Sequence, residues 1–204
     1  MGIKERKERQ RREVRGGILS AAREIASDEG WRSVTIRKIA SRIEYSPPVI
    51  YEHFESKDEI LLELMHQGYA EQLGAVESAR KKANTPEEAM LGIADAWMDF
   101  AFRSPDLYQV MYGLGGAPFS AAETRNEGEK IAAVVGEVLI EILQNRGGET
   151  EDIDGKVMLL WSTVHGLAAL MMVGRIPGGQ NQARSLARQA ARDYLTAWQA
   201  GSET

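Results

Sequence analysis

A chain of 204 residues, 43% apolar and 27% charged, can bury a sizeable core as one large domain or two small ones. It has no cysteine, which excludes disulfides, thiolate metal sites and thiol nucleophiles. The charged start has no signal-peptide apolar region and no apolar run approaches the roughly 20 residues of a membrane span, so a cytoplasmic protein with no membrane partner is expected.

Net charge is −5, which argues against a protein that coats nucleic acid unselectively. The distribution is uneven. Residues 1–15 hold seven basic groups (Lys4, Arg6, Lys7, Arg9, Arg11, Arg12, Arg15) against three acidic ones (Glu5, Glu8, Glu13), a net of +4. A basic end and an acidic remainder fit a DNA-binding end and a non-DNA end. Residues 1–12 read as a disordered arm.

From Glu13 to Glu29 the apolar positions Val14, Ile18, Ala21/Ala22 and Ile25 recur at helical spacing. Gly30 stands at the usual C-terminal glycine position, and Trp31 is placed to cover a core. Thr35 is a natural N-cap for a helix Ile36–Ile43. Tyr45-Ser46-Pro47-Pro48 then stops that helix and opens the next, with Ser46 as cap and a proline at the first helical position. Val49, Ile50 and Phe54 give the second helix a small apolar face, leaving Tyr51, Glu52 and His53 to point elsewhere. Two short helices on a turn of this length form a helix-turn-helix, whose second helix lies in a DNA major groove. An αα-hairpin in an all-helical core has the same pattern.

Ser56 and Glu59 make a Ser-x-x-Glu capping box for the next helix, which Ile60, Leu61/Leu62 and Leu64/Met65 continue toward Lys82. That length suits a connector between two halves. Thr85-Pro86-Glu87-Glu88 starts another helix, carrying Met90, Ile93/Ala94, Trp97 and Phe100/Ala101. Ser104-Pro105 breaks it and opens a short helix, Asp106–Tyr112. A helix is expected from about Ala121 to Asn145, the most apolar one from Ile153 to Val173, and the last over Ala183–Gln199. Nothing alternates with period two for long. The reading is all-α with about nine helices and no internal repeat.

Enzyme chemistry has little support. The three histidines, His53, His66 and His165, are scattered, without His-Glu-x-x-His. No Gly-rich phosphate loop follows a strand, and there is no Gly-x-Ser-x-Gly. No metal site and no cofactor are expected. Two other classes compete with a ligand-responsive regulator: a constitutive or architectural DNA-binding protein, and a small-molecule-binding bundle whose helix-turn-helix is incidental.

A helix of about fifteen residues, then Thr35-x-Arg37-x-Ile39-Ala40, a turn, Tyr51-x-His53-Phe54 and Ser56-Lys57-x-x-Ile60-Leu61 resemble the DNA-binding domain of TetR-family transcriptional regulators, over roughly residues 13–62. Leu160-Trp161-Ser162-Thr163-Val164-His165-Gly166-Leu167 resembles, over a shorter stretch, the Trp-His-Gly-containing ligand-binding domain of some members. The resemblance implies a DNA-binding domain over 1–55 and a ligand-binding and dimerisation domain over 56–204. It assigns double-stranded operator DNA to Thr35, Arg37, Ser46, Pro47, Pro48, Val49, Tyr51, His53 and Lys57. Arg37 can pair with a phosphate or a guanine edge, and the small apolar residues can touch a thymine methyl. Lys57, at a helix N-terminus, suits a phosphate. Phe54 is read as core.

There is one departure from the family pattern. Glu44 stands where the turn usually has glycine, and a non-glycine residue is strained at positive φ. The resemblance further implies a homodimer built on the last two long helices, with Leu159, Val164, Ala168, Leu186, Ala190, Tyr194 and Trp198 as candidates. A pocket for a small-molecule effector is expected from Trp97, Phe100, Phe102, Tyr108, Met111, Trp161 and His165, with His165 as its polar group. The function implied is a repressor released from its operator when a small, largely apolar molecule shifts the population of states.

Overall fold

Helix formers and helix caps dominate the sequence, and the computed structural model, which describes residues 2–116, 125–148 and 150–200, is helical throughout. The elements are α1 (Ile3–Glu29), a 3₁₀ turn (Trp31–Ser33), α2 (Ile36–Arg42), α3 (Pro47–Tyr51), α4 (Lys57–Lys82), α5 (Pro86–Arg103), α6 (Pro105–Met111), α7 (Arg125–Asn145), α8 (Ile153–Met172) and α9 (Gly179–Ala200). No strand occurs among the described residues, and the nine helices agree with the all-α reading. The part of the expected helix at 121–124 lies outside the described residues; from Arg125 onward it is present.

One expectation fails at the N-terminus. Residues 3–12 are not an arm but the first turns of α1. Residues 4–12 lack apolar periodicity because they are exposed on every side. Their helix rests instead on Lys, Arg, Glu and Gln, all good helix formers, and on Glu5/Arg9 and Glu8/Arg12 at the favourable i,i+4 spacing.

Helix ends follow the local chemistry. Thr35 Oγ1 accepts the Lys38 N–H at 3.2 Å and Thr85 Oγ1 accepts the Glu88 N–H at 3.1 Å. Ser56 Oγ accepts the Glu59 N–H at 3.2 Å, while the Glu59 carboxylate reaches one residue further back, to the Glu55 N–H at 2.6 Å. Three helices close in the same way, with the last exposed carbonyls taken by N–H groups from beyond the end. At α7 these are Gly148 N–H to Leu143 O at 2.8 Å and Gly147 N–H to Gln144 O at 3.3 Å. At α8 they are Arg175 N–H to Leu170 O and Gly174 N–H to Met171 O, both at 2.9 Å. At α2 they are Tyr45 N–H to Ala40 O at 2.9 Å and Glu44 N–H to Ser41 O at 3.3 Å. Gly147 and Gly174 take φ of 69° at the left-handed position; Glu44 takes 60° there without being glycine.

The chain packs as two compact units, Met1–Gly68 with Asp106–Glu123, and Tyr69–Pro105 with Thr124–Thr204. The family resemblance implies a division at residues 55/56, where α4 is about to start; the compact units divide within α4, and α6 belongs to the first. In that unit Ile18, Ile25, Trp31, Ile39, Ile50, Phe54, Ile60 and Leu64 form the core, at 0–1% exposure. Leu107, Tyr108, Val110 and Met111 of α6 are fully buried. Trp31 Nε1 donates to the Asp106 carbonyl at 3.2 Å, and Arg23 Nε pairs with Asp106 Oδ2 at 2.5 Å. Gly68 lets Met111 sit against α4: a Cβ there would stand 2.9 Å from Met111 Cγ.

In the second unit α5 packs on α7, α8 and α9, and α8 packs on α7 and α9. The buried row of α9 is Ala183, Ala187, Ala191 and Leu195, every four residues, and that of α8 is Val157, Leu160, Val164 and Ala168. Ion pairs join its helices: Arg184–Asp99, Arg188–Asp95, Arg80 with Glu137 and Glu141, and Arg146–Glu87. Although Asp154 and Lys156 interrupt its apolar run, α8 contains an 18-residue stretch of mean hydropathy 1.3 and is long and apolar enough to cross a membrane by length and composition. Only 22% of that stretch is buried, and the row facing α7 and α9 accounts for it.

Candidate nucleic-acid interface

The helix-turn-helix is built so that its apolar residues face inward and its polar ones do not. Ile39 and Ala40 of α2, Ile50 of α3 and Phe54 beyond it are buried to 0–1% exposure. Phe54 is core, as read from the sequence. Thr35, Arg37, Ser46, Pro48 and Tyr51 are exposed, and Pro47, Val49, His53 and Lys57 are half-buried.

Ion pairs sort the cations of α2. Arg42 reaches Glu24 at 3.2 Å and Asp28 at 3.4 Å, and Lys38 pairs with Glu29, so both are held by the end of α1. Arg37 has no carboxylate partner among the described residues. It is the α2 cation available to a phosphate or a base. Thr35, whose oxygen already accepts the Lys38 N–H, keeps its hydroxyl proton to donate.

Ser46 departs from its expected capping role. It occupies the N-cap position of α3 with extended backbone, but its side chain makes no capping bond. The reason is covalent: Pro47 and Pro48 fill the first two helical positions and have no N–H, and the Val49 N–H is already bonded to the Ser46 carbonyl at 3.0 Å. The Ser46 hydroxyl is therefore left outward. The prolines also remove donors from the start of α3, so that end presents ring and methyl surface rather than backbone N–H groups.

Arg15 ties α1 to the segment that follows α3. Its guanidinium lies 4.0 Å from the Phe54 ring centroid, donates to the His53 carbonyl at 2.9 Å and pairs with Glu63 at 2.9 Å. His53 lies past the end of α3, and its Nδ1 is buried without a hydrogen-bond partner among the described residues. Two exposed tyrosines flank the helix, Tyr51 at 56% and Tyr45 at 45% exposure. Tyr45, which the resemblance does not assign to DNA, stands in the turn beside Ser46. An open cleft of about 580 Å³ lies beside it, between Ile43 and Tyr45 on the turn and Arg6, Arg9, Gln10, Glu13, Val14 and Gly17 on α1.

The other expected sites divide between the units. Trp161 and His165 stack with ring centroids 5.3 Å apart at 23°, and burial pushes the His165 imidazole below its ordinary pKa. Trp97 and Phe100 are buried in α5; Phe102 is half-buried, 5.8 Å from the Arg184 guanidinium. Tyr108 and Met111 are fully buried in α6, which belongs to the first unit. Of the residues expected at a dimer surface, Leu159 is 49% and Leu186 39% exposed. Ala190, Tyr194 and Trp198 continue the Leu186 row half-buried, with Tyr194 stacked on Trp198 at 5.3 Å. Val164 and Ala168, also expected there, are instead buried at 8% and 0% exposure, in the inner row four residues apart from Leu160 onward, which turns them away from Leu159.

Residues 18–64 match the family model of bacterial regulatory proteins of the tetR family, and residues 90–193 match that of the tetracyclin repressor-like C-terminal domain. The chain belongs to the TetR family. Among similar proteins, the HTH-type transcriptional activator FasR of Mycolicibacterium smegmatis is 28% identical over 102 residues, 50% of this chain and 47% of FasR. The uncharacterized HTH-type transcriptional regulator YobS of Bacillus subtilis is 30% identical over 129 residues, 61% of this chain and 62% of YobS. The aligned part thus spans about half of FasR and under two thirds of YobS. The crystal structure of the TetR-family transcriptional regulator PfmR from Thermus thermophilus shares the fold, with TM-score 0.68 at 19% identity over 88% of this chain and 97% of that one. The family and these relatives are regulators, not enzymes. In this TetR-family chain, Thr35 to Lys57 lie within the matched helix-turn-helix, while the first fifteen residues of α1, Ile3 to Gly17, precede the match.

Proposed function

We propose that this TetR-family protein is a homodimeric, sequence-specific transcriptional repressor that acts in the cytoplasm and leaves its operator when a small, largely apolar effector binds. One observation carries the reading. The helix-turn-helix buries Ile50 and Phe54 and leaves Arg37, Ser46, Pro48 and Tyr51 exposed, which is the division of labour a major-groove reader needs. The DNA-reading part ends near residue 55, and residues 56–204 sense and dimerise.

The dimer rests on exposed apolar surface. Met158, Leu159, Leu170 and Val173 of α8 and its end, and Leu186 of α9, are 39–69% exposed, a patch that a lone chain would leave wet. Two copies pairing α8 and α9 would cover it and set two reading heads one helical turn of DNA apart. The effector would meet the aromatic residues of α5 and the Trp161–His165 stack. It acts only through a difference in its affinity for the DNA-bound and free states.

Selection of bound duplexes from a random pool, followed by titration of apolar metabolites against the selected operator, tests this. A clear preference over random DNA is expected, with Arg37→Ala weakening operator binding by about 1–3 kcal/mol while the dimer persists. No preference for any sequence would sink the regulator reading; failure of every apolar molecule tried to displace the operator would sink the sensor. FasR is named an activator, so a reporter beside the selected operator gives the sign directly: deletion of the gene raises expression if the protein represses.

A further inference from the structure

The basic N-terminal extension of α1 lies outside the stretch that matches the family's DNA-binding model, which begins at residue 18. Residues 4–13 of it are exposed, and within residues 3–17 cations outnumber carboxylates seven to three. Fifteen helical residues add a rod of about 22 Å. It is set beside the turn that leads into α3: Arg6, Arg9 and Gln10 form one wall of the open cleft and Tyr45 the other.

We infer that this cleft seats the DNA sugar-phosphate backbone flanking the groove read by α3, so that the extension is a second, sequence-independent DNA-contacting element. The inference rests on the DNA-binding reading above. Arg6 and Arg9 supply the charge and the donors; the Gln10 amide and the Tyr45 hydroxyl add neutral ones, as phosphate contacts commonly do. Glu13, nearer the core on the same face, repels a phosphate at the inner end and confines it to the outer part. Continuity supports the assignment: Tyr45 lines the cleft and is next to Ser46, whose hydroxyl is outward at the start of α3. A DNA strand followed from Ser46 past Tyr45 arrives at Arg9 and Arg6.

The test uses the full chain, its selected operator and a random duplex of equal length, with binding followed from low to high salt. For the double variant Arg6→Gln/Arg9→Gln, affinity is expected to fall on the order of tenfold on both duplexes. The slope of log K against log salt should become shallower by about 3.6, two contacts from each protomer of the dimer at about 0.9 each. The preference for operator over random DNA should persist, and hydroxyl-radical protection should shrink at the flanks. The variant Lys4→Gln/Arg11→Gln removes the same charge from another face of the helix and should move the slope much less. Equal effects from the two variants, an unchanged slope, or a loss confined to the operator would each overturn the cleft as a phosphate seat. Helical circular dichroism shows that both variants keep α1. If the wild-type chain prefers no sequence, it is the regulator reading that fails, whatever the variants do.

Discussion

Glu44 carries backbone strain that a glycine would not. Its φ of 60° puts Cβ against the following carbonyl, and the two N–H bonds that close α2 hold it there. Glu44→Gly should relieve that strain and raise unfolding stability by about 1 kcal/mol, after the greater freedom of glycine in the unfolded chain is counted. Urea midpoints of the two proteins check it. An unchanged or lower midpoint would mean that the Glu44 side chain supports the turn. His165 makes a prediction in pH. Burial lowers its pKa, so the unfolded chain takes up the proton first. Its contribution to stability is complete above the unfolded value of about 6.5 and is lost as pH falls through the lower folded value. His165→Phe should lose part of the drop in melting temperature between pH 7.5 and pH 5. Identical pH profiles for the two proteins would contradict this.

At the scale of elements, α6 is the part whose place is least expected from its position in the chain. It follows α5 by one residue, yet four of its residues are fully buried in the unit built on α1 to α4. Asp106 holds it there, 9% exposed, paired with Arg23 and offering its carbonyl to Trp31. Asp106→Ala removes the carboxylate and leaves Arg23, a third exposed, without that partner. A loss of about 2 kcal/mol is expected, below the figure for a fully buried pair because water still reaches the guanidinium. Hydrogen exchange should show faster opening of α6 and of the Trp31 turn than of α8 and α9. Uniform acceleration across all four elements would mean that the pair acts on the whole chain and not on the α6 docking. α1 shows the converse. Its exposed turns stand on helix propensity and charge spacing rather than on packing, which is why apolar periodicity marks the helix only from Val14.

For the whole molecule, the exposed rows of α8 and α9 decide between a monomer and a dimer. Leu159→Glu/Leu186→Glu would place charge in the paired surface without touching Val164 or Ala168 beneath it. The double variant is expected to sediment as a folded monomer and to lose operator affinity by more than a hundredfold, since one reading head forgoes the contacts of the other. A dimer of unchanged stability would place the interface elsewhere.

Much of this protein was legible in its sequence. The caps at Thr35, Ser56 and Thr85, and the Gly30 and Gly147 stops, are short-range hydrogen-bonding and steric effects. They depend on neighbours a few residues away, so the helices and the helix-turn-helix could be read directly. Phe54 as core and Tyr51 as surface followed from the spacing of apolar residues on one short helix. Ser46 could also have been read more closely, because two prolines leave its hydroxyl nothing to cap. Other features required residues far apart in the chain. The return of α6 to Arg23 and Trp31 is a packing decision across 75 to 83 positions, and no local propensity encodes it. The choice of which apolar row of α8 turns inward, Val164 and Ala168 rather than Leu159, arises because that helix is apolar nearly all round. Only the helices packed against it settle which face is dry.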